Sequence, residues 1–224
     1  GLFDKPKGIE IVKTQSRNGP VLQIMEPMII TYEKPLERVL LNQERDANCF
    51  FHLYESLFML AGRNEIAPLA YYAGNMANYS DDGVTQNAAY GYRWRHPWCG
   101  DYKKPDQLKV IIDHLKRKPE SRRAVLHIST VEDDLLKIDT TKDQACNLCV
   151  MFSMRDRGEP WPAMEGSSRY LLDMTVINRS NDLIFGALGA NQCHFGFLQE
   201  YVAAHIGVEV GVYNQITNNL HVYL

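Results

Sequence analysis

The chain has 224 residues and a mass of 25.7 kDa, with 45% hydrophobic and 23% charged residues, which excludes disordered and fibrous classes. A domain of this length hides roughly 70% of its unfolded surface, so it needs no disulfide or metal staple. The net charge of -3, from 24 Lys+Arg against 27 Asp+Glu, argues against a broad nucleic-acid or anionic-membrane footprint, so any bound phosphate needs a local arginine cluster. No run approaches the ~18 apolar residues of a membrane span, and the start lacks a secretory apolar core. A cytoplasmic protein is expected. Five cysteines (Cys49, Cys99, Cys146, Cys149, Cys193), odd in number and irregular in spacing, do not make a secreted disulfide framework.

No repeat, low-complexity tract or linker divides the chain, so residues 1–224 read as one domain. Over 46–61, Phe50, Phe51, Tyr54, Leu57, Phe58 and Ala61 recur at helical spacing and leave little polar face, which predicts a largely buried helix. Glu55 shares the stripe of Phe51 and Phe58, where a carboxylate must be paired, neutral or functional. Residues 74–89 read as irregular. Pro105, then Leu108, Ile111, Ile112 and Leu115 at i, i+3, i+4 and i+7, then Pro119 mark an amphipathic, half-exposed helix. Runs at 124–128, 145–154 and 171–177, rich in Val, Ile, Leu, Met and Phe, suit strands of a sheet. Gly158, Pro160, Pro162 and Gly166 predict a long loop over 155–168. Leu198, Tyr201, Val202 and His205 predict a helix over 194–206 that Gly207 closes. The mixture is α+β.

Cys146 and Cys149 form a Cys-x-x-Cys, which raises a thioredoxin-like or zinc reading. A second pair is absent and the flanking pattern is strand. Their odd offset puts them on opposite sides of a sheet, and a free cysteine is most commonly a small buried hydrophobe, so no metal is expected. Ser121-Arg122-Arg123 lies between a helix and a strand, and Arg179-Ser180 follows another strand. A planar guanidinium fork beside a hydroxyl suits a phosphate dianion, although either pair alone is more ordinarily a solvated edge. His221 and Tyr223, two apart at an extended end, face one side and suit a sugar hydroxyl; alone, such residues are more often plain surface.

Taken in order, these pieces resemble the thymidylate synthase and pyrimidine-nucleotide hydroxymethylase family. The carrying segments are FHLYESLFMLAG around Glu55, AAYGYRWR at 88–95, SRRAVLHI at 121–128, QACNLCVMF at 144–152, NRSNDLIFG at 178–186, NQCHFGFLQEYVA at 191–203 and NNLHVY at 218–223. The resemblance runs from about Arg17 to the last residue. It implies a mixed sheet packed with helices and a homodimer joined through the sheet. It implies that Cys146 is the nucleophile: C5 of a pyrimidine is poorly nucleophilic, and thiolate addition at C6 makes the ring enolate-like. Arg17, Arg179 and Ser180, with Arg122 and Arg123 reaching from the partner subunit, match the phosphate clamp, whose cations would favour the thiolate. Asn191 matches the reader of the base. Its amide suits O4 and N3–H of uracil, and cytosine enzymes usually carry Asp there, though a flipped amide also serves cytosine. His221 and Tyr223 match the pair on the ribose 3′-hydroxyl.

The same resemblance makes Glu55 the organiser of water and proton transfers and Tyr90 an aid to proton removal at C5. Asp182 and Gly186 match contacts to the pterin of 5,10-methylenetetrahydrofolate, the carbon donor. Internal ion pairs and hydrogen bonds are the plainer alternatives for Glu55, Tyr90 and Asp182.

The chain departs from thymidylate synthases at several points. It has Ala145-Cys146-Asn147 for Pro-Cys-His, Met76 and Tyr79 where a tryptophan is usual, TNNLHVY at 217–223 for GDxHxY, and one extra residue within 187–190. Both branches of the family pass through an exocyclic methylene, captured by hydride in one and by water in the other. A shielding aromatic favours hydride and an opening favours water. An end at Leu224, without the tail that closes over the folate, would also leave a wetter site. The expected activity is C5-hydroxymethylation of a pyrimidine nucleoside 5′-monophosphate. The alternatives are thymidylate synthase, making dTMP from dUMP, and a catalytically silent relative that binds nucleotide or RNA.

Overall fold

The computed structural model describes residues 8–96, 105–158 and 168–224. The start of the chain, Cys99, and Pro160, Pro162 and Gly166 of the predicted loop lie outside them. The chain runs through β1 (Ile11–Ser16), β2 (Gly19–Ile24) and β3 (Met28–Tyr32), then α1 (Cys49–Leu60), α2 (Ile66–Tyr72), α3 (Tyr90–Arg95) and α4 (Gln107–Arg117). Strands β4 (Val125–His127), β5 (Asn147–Asp156), β6 (Tyr170–Asn178) and β7 (Asn181–Asp182) follow, then α5 (Asn191–Ile206), β8 (Glu209–Thr217) and β9 (Leu220–Tyr223). Short helical turns occupy Gly74–Tyr79, Val131–Leu135 and Leu183–Ala190.

Two sheets form, in the orders β1-β2-β9-β7 and β3-β8-β6-β5-β4. Pairs β6–β8 and β7–β9 are parallel and the rest antiparallel, so the fold is mixed-sheet α+β. The larger sheet buries Val150, Phe152, Leu172, Met174 and Val176 against Phe195 and Leu198 of α5 and Leu108 of α4. Its other face carries the row Cys149–Ile177–Ile216–Ile29, one residue from each neighbouring strand, and Ile29 at the end of that row is 64% exposed.

Helix α4 buries the four apolar residues its spacing names, and the Asp106 side chain caps it by accepting from the Lys109 N–H at 3.1 Å. Helix α5 ends at Gly207, whose φ of 90° is a left-handed conformation that a side chain would strain. Helix α1 differs from expectation. Phe50, Leu53 and Leu57 are exposed, while His52 and Ser56 are buried beside Phe58 and Met59. Packing against α5 decides this, because the face it covers is the one that carries polar groups. Strands β1, β2, β3 and β8 add to those the hydrophobic runs mark. Gln215 and Thr217 of β8 are fully buried polar residues, a pattern that no hydrophobicity signal reveals. No helix among the described residues is long and apolar enough to cross a membrane.

A buried ion pair ties these elements together. Arg93 Nη1 of α3 donates to Asp134 Oδ2 at 2.6 Å and to the Ile128 carbonyl at 3.0 Å, and its Nη2 donates to the Asn87 carbonyl at 2.8 Å. Asp134 also accepts from the Thr130 N–H at 2.9 Å and the Ala145 N–H at 3.0 Å. Burial works to raise the Asp134 carboxyl, but the hydrogen bonds from Arg93, Thr130 and Ala145 outweigh it and hold the group below the usual carboxylate range. Its stabilising contribution is therefore present above the unfolded-state value of about 3.9 and lost as pH falls below that. Asp134→Ala should cost about 3–5 kcal/mol in urea unfolding near pH 7. The difference from the native chain should shrink below about pH 4. A constant difference across that range would refute the assignment.

Candidate active site

Two cavities meet in the middle of the molecule. One, of about 680 Å³, is lined by Arg17, Tyr90, Cys146, Arg179, Ser180, Asp182, Asn191, His221 and Tyr223, among others. The other, of about 580 Å³, is lined by Phe51, His52, Glu55, Phe58, Met76, Phe185 and His194, among others. Both are lined by Tyr79, Tyr90, Asp143 and Asn191, which form the junction.

Cys146 stands one residue before β5, where the pairing with β6 shifts register between Asn147 and Cys149. Such irregularities re-aim side chains at sheet ends. Cys146 faces the first cavity while Cys149, paired with Ile177 and His127, lines neither. The loop before Cys146 is held by its own arginine: Arg179 Nε donates to the Ala145 carbonyl at 2.9 Å and Nη2 to the Gln144 carbonyl at 3.2 Å. Arg17 Nη1 donates to the Lys142 carbonyl at 2.6 Å and its guanidinium lies 5.6 Å from the Tyr79 ring centre. Arg122 and Arg123 are exposed and line neither cavity, so the cations gathered around Cys146 by this chain are Arg17, Arg179 and Lys142.

These cations do not set the state of the thiol. Burial pushes Cys146 up from its ordinary value; Arg179 and Arg17 pull it down, while Asp143 and Asp134 add to the rise. The net direction within this single chain is upward. Tyr90 accepts the Cys146 N–H at 3.2 Å, and burial, with Cys146 nearby, raises its phenol.

Asn191 heads a chain of amides. Its Oδ1 accepts from Asn147 Nδ2 at 3.3 Å and its Nδ2 donates to Asn181 Oδ1 at 2.8 Å; Asn181 Nδ2 donates to Gln215 Oε1 at 2.7 Å, and Gln215 donates to the Tyr213 hydroxyl. One amide hydrogen and one lone pair of Asn191 remain for a ligand. The extra residue of 187–190 falls beside Gly189, whose backbone leaves the helical region. Gly186 lines neither cavity. A Cβ there would lie 2.1 Å from Asn181 Oδ1, so this glycine makes room for the amide chain. Asp182 lines the first cavity and caps the turn that follows by accepting from the Phe185 N–H. His221 and Tyr223 lie edge to face, their ring centres 5.5 Å apart, on the cavity wall.

Glu55 of α1 points to α5, where its Oε2 lies 2.8 Å from His194 Nε2. Hydrophobic spacing does not mark the histidines. The usable signal is His52 three residues before Glu55, and so on its helix face. Asp143 also goes unmarked; its carboxylate accepts from the Ala88 N–H at 2.9 Å, and burial raises it.

A cysteine, arginines and an amide thus share one cavity of a mixed-sheet fold, and the thymidylate synthase family model matches residues 30–224. The chain belongs to the thymidylate synthase family. It is 47% identical over 214 residues to a deoxyuridylate hydroxymethyltransferase of Pseudomonas phage M6, covering 96% of this chain and 56% of that protein. It is 39% identical over 228 residues to a deoxyuridylate hydroxymethyltransferase of Bacillus phage SP01, with the same coverages. A thymidylate synthase of Streptococcus thermophilus is 31% identical over 121 residues, 54% of this chain and 38% of that protein. The chain thus spans about half the length of the phage relatives it matches.

Alkylation of Cys146 by iodoacetamide in the nucleotide-free protein, followed by peptide mass, should keep accelerating through pH 9, since a raised thiol gains its thiolate only as pH climbs. Arg179→Ala should move the rise still higher. A rate that levels off by pH 8 would contradict the buried-thiol geometry.

Proposed function

We propose that this chain, as a single domain, hydroxymethylates C5 of dUMP. The observation that carries the reading is the one cavity lined by a cysteine, two arginines with a serine, an asparagine amide, and a histidine–tyrosine pair. Arg17, Arg179 and Ser180 hold the 5′-phosphate, His221 and Tyr223 hold the sugar, and Asn191 gives one hydrogen bond to O4 and accepts one from N3–H of uracil. Cys146 Sγ adds to C6, and Tyr90 receives or relays the C5 proton. The names of the phage relatives support uracil and deoxyribose.

The second cavity fits a flat pterin. Phe51, Phe58, Phe185 and Met76 offer apolar surface, and the cavity opens to Cys146 at Tyr79 and Tyr90. Methylenetetrahydrofolate would supply a carbon at the oxidation level of formaldehyde. Phe185 would meet its ring in this cavity, and Asp182 would reach it from the first; Gly186 acts from behind by leaving room for Asn181. Met76, in the wall of the second cavity, is smaller than the tryptophan usual in thymidylate synthases, which favours capture by water over hydride.

Arg122 and Arg123 complete the phosphate clamp from a second subunit. The open sheet face with its Cys149–Ile177–Ile216–Ile29 row supports a sheet-to-sheet homodimer. The partner's two cations would also draw Cys146 back toward the thiolate when the nucleotide binds.

Incubation with methylenetetrahydrofolate and dUMP, dCMP, UMP or CMP should yield 5-hydroxymethyl-dUMP by mass, with tetrahydrofolate released. Cys146→Ser should bind dUMP and turn nothing over. A methylated product with dihydrofolate would make the chain a thymidylate synthase, and nucleotide binding without turnover would make it a silent relative. Asn191→Asp should raise the cytosine-to-uracil rate ratio by roughly tenfold or more, the worth of one charge-assisted hydrogen bond. An unchanged ratio removes Asn191 from base reading.

A further inference from the structure

A nucleotide in the first cavity and a carbon donor in the second can react only where the two cavities meet. Tyr79, Tyr90, Asp143 and Asn191 line both, and Asp143 is the one carboxylate among them. Asp46 and Glu55 line only the second cavity and Asp182 only the first. Asp143 is half-buried, three residues before Cys146, and nothing in the binding of nucleotide or pterin uses it. Its backbone is held on both sides: the N–H donates to Thr141 Oγ1 at 3.2 Å, and the carbonyl accepts from Asn87 Nδ2 at 3.1 Å. Its Oδ2 accepts the Ala88 N–H at 2.9 Å, while Oδ1 has no hydrogen-bond partner among the described residues and lies open at the cavity surface. Burial raises this carboxyl; the Ala88 N–H and Arg93 pull it down, and Asp81 and Asp134 add to the rise. A raised carboxylate is a stronger proton acceptor than an ordinary one. The histidine usual after the cysteine in thymidylate synthases is Asn147 here, whose amide takes up no proton and whose Nδ2 is engaged with Asn191.

Resting on the reading above of one-carbon transfer to C5, we propose that Asp143 is the final acceptor of the proton that C5 loses. Once the new carbon is attached, C5 bears both it and a hydrogen, and Cys146 Sγ is bonded to C6. The C5–H bond breaks, and its electron pair moves toward C4, leaving the C4 oxygen as an enolate. The proton passes through the Tyr90 hydroxyl and a water at the junction to Asp143 Oδ1, which becomes a neutral carboxylic acid. Tyr90 cannot store it: a phenol that takes up a proton must pass its own onward at once, and its oxygen already accepts the Cys146 N–H. Asp143 then gives the proton to solvent through the first cavity and is a carboxylate again. Nothing is oxidised or reduced in this step. It comes before the new carbon is captured by water or by hydride, so it is the same whichever product forms.

The same carboxylate helps to push the Cys146 thiol up, so removing its charge should move two measurable steps in opposite directions. Asp143→Asn keeps an oxygen for the Ala88 N–H and removes only the base. In this variant dUMP binding should stay within a few-fold of the native chain. Alkylation of Cys146 by iodoacetamide in the nucleotide-free protein, at about pH 8, should be as fast or faster. Release of tritium from dUMP labelled at C5, with methylenetetrahydrofolate present, should fall by about 10²–10⁴. Asp143→Glu, which keeps a base, should release tritium faster than Asp143→Asn. Release within a few-fold of native in Asp143→Asn would overturn the proposal, as would an Asp143→Glu variant no faster than it. So would release that falls no further than dUMP binding or alkylation falls, since Asp143 would then only support the Cys146 loop. If the native chain releases no tritium from dUMP, dCMP, UMP or CMP labelled at C5, the underlying reading fails, whatever the variants do.

Discussion

The Arg93–Asp134 pair is the contact on which the site depends. One guanidinium grips the carbonyls of Asn87 and Ile128 as well as the carboxylate, and that carboxylate holds the N–H of Ala145. It therefore joins the helix that carries Tyr90, the end of β4 and the residue before Cys146. Such a pair is a poor source of net stability, because desolvating two charges offsets most of their attraction. Its value here is geometric. A buried charge with only one satisfying arrangement leaves the surrounding loops no alternative.

From this anchor the site divides into two chambers. The chamber beside Cys146 is polar and organised through backbone. Arg179 binds two carbonyls of the loop it serves, and Asn191 is oriented by a line of amides that ends on the Tyr213 hydroxyl. Each amide in that line fixes the next, so the free donor and acceptor of Asn191 are held in one orientation in the cavity. The chamber beside Glu55 adds Phe51, Phe58, Met76 and Phe185 to a lining that also holds Arg45, Arg63 and a small knot of imidazoles and a carboxylate. Tyr79 and Tyr90 stand where the two meet.

Burial wins over charge at Cys146. Two arginines near Cys146 would suggest a standing thiolate, yet desolvation and two nearby aspartates outweigh them.

The order of motifs along the chain carries most of the site. Cys146, Arg179-Ser180, Asn191 and the His221–Tyr223 pair are legible because each sits in a short, locally ordered run, and α4 and α5 are legible because period and caps agree. Hydrophobic pattern misleads at α1, where packing on α5 buries His52 and Ser56 and leaves Phe50, Leu53 and Leu57 outside. It is silent at β8, whose inner row holds Gln215 and Thr217. A polar residue becomes a core residue only when its partner arrives from elsewhere in the chain. The sequence by itself determined which chemistry the chain can hold, since motif residues are local. Only the tertiary structure decided the upward push on the Cys146 thiol, the reason for Gly186 and the meeting of His52 with His194, because desolvation and contact arise only when distant segments pack.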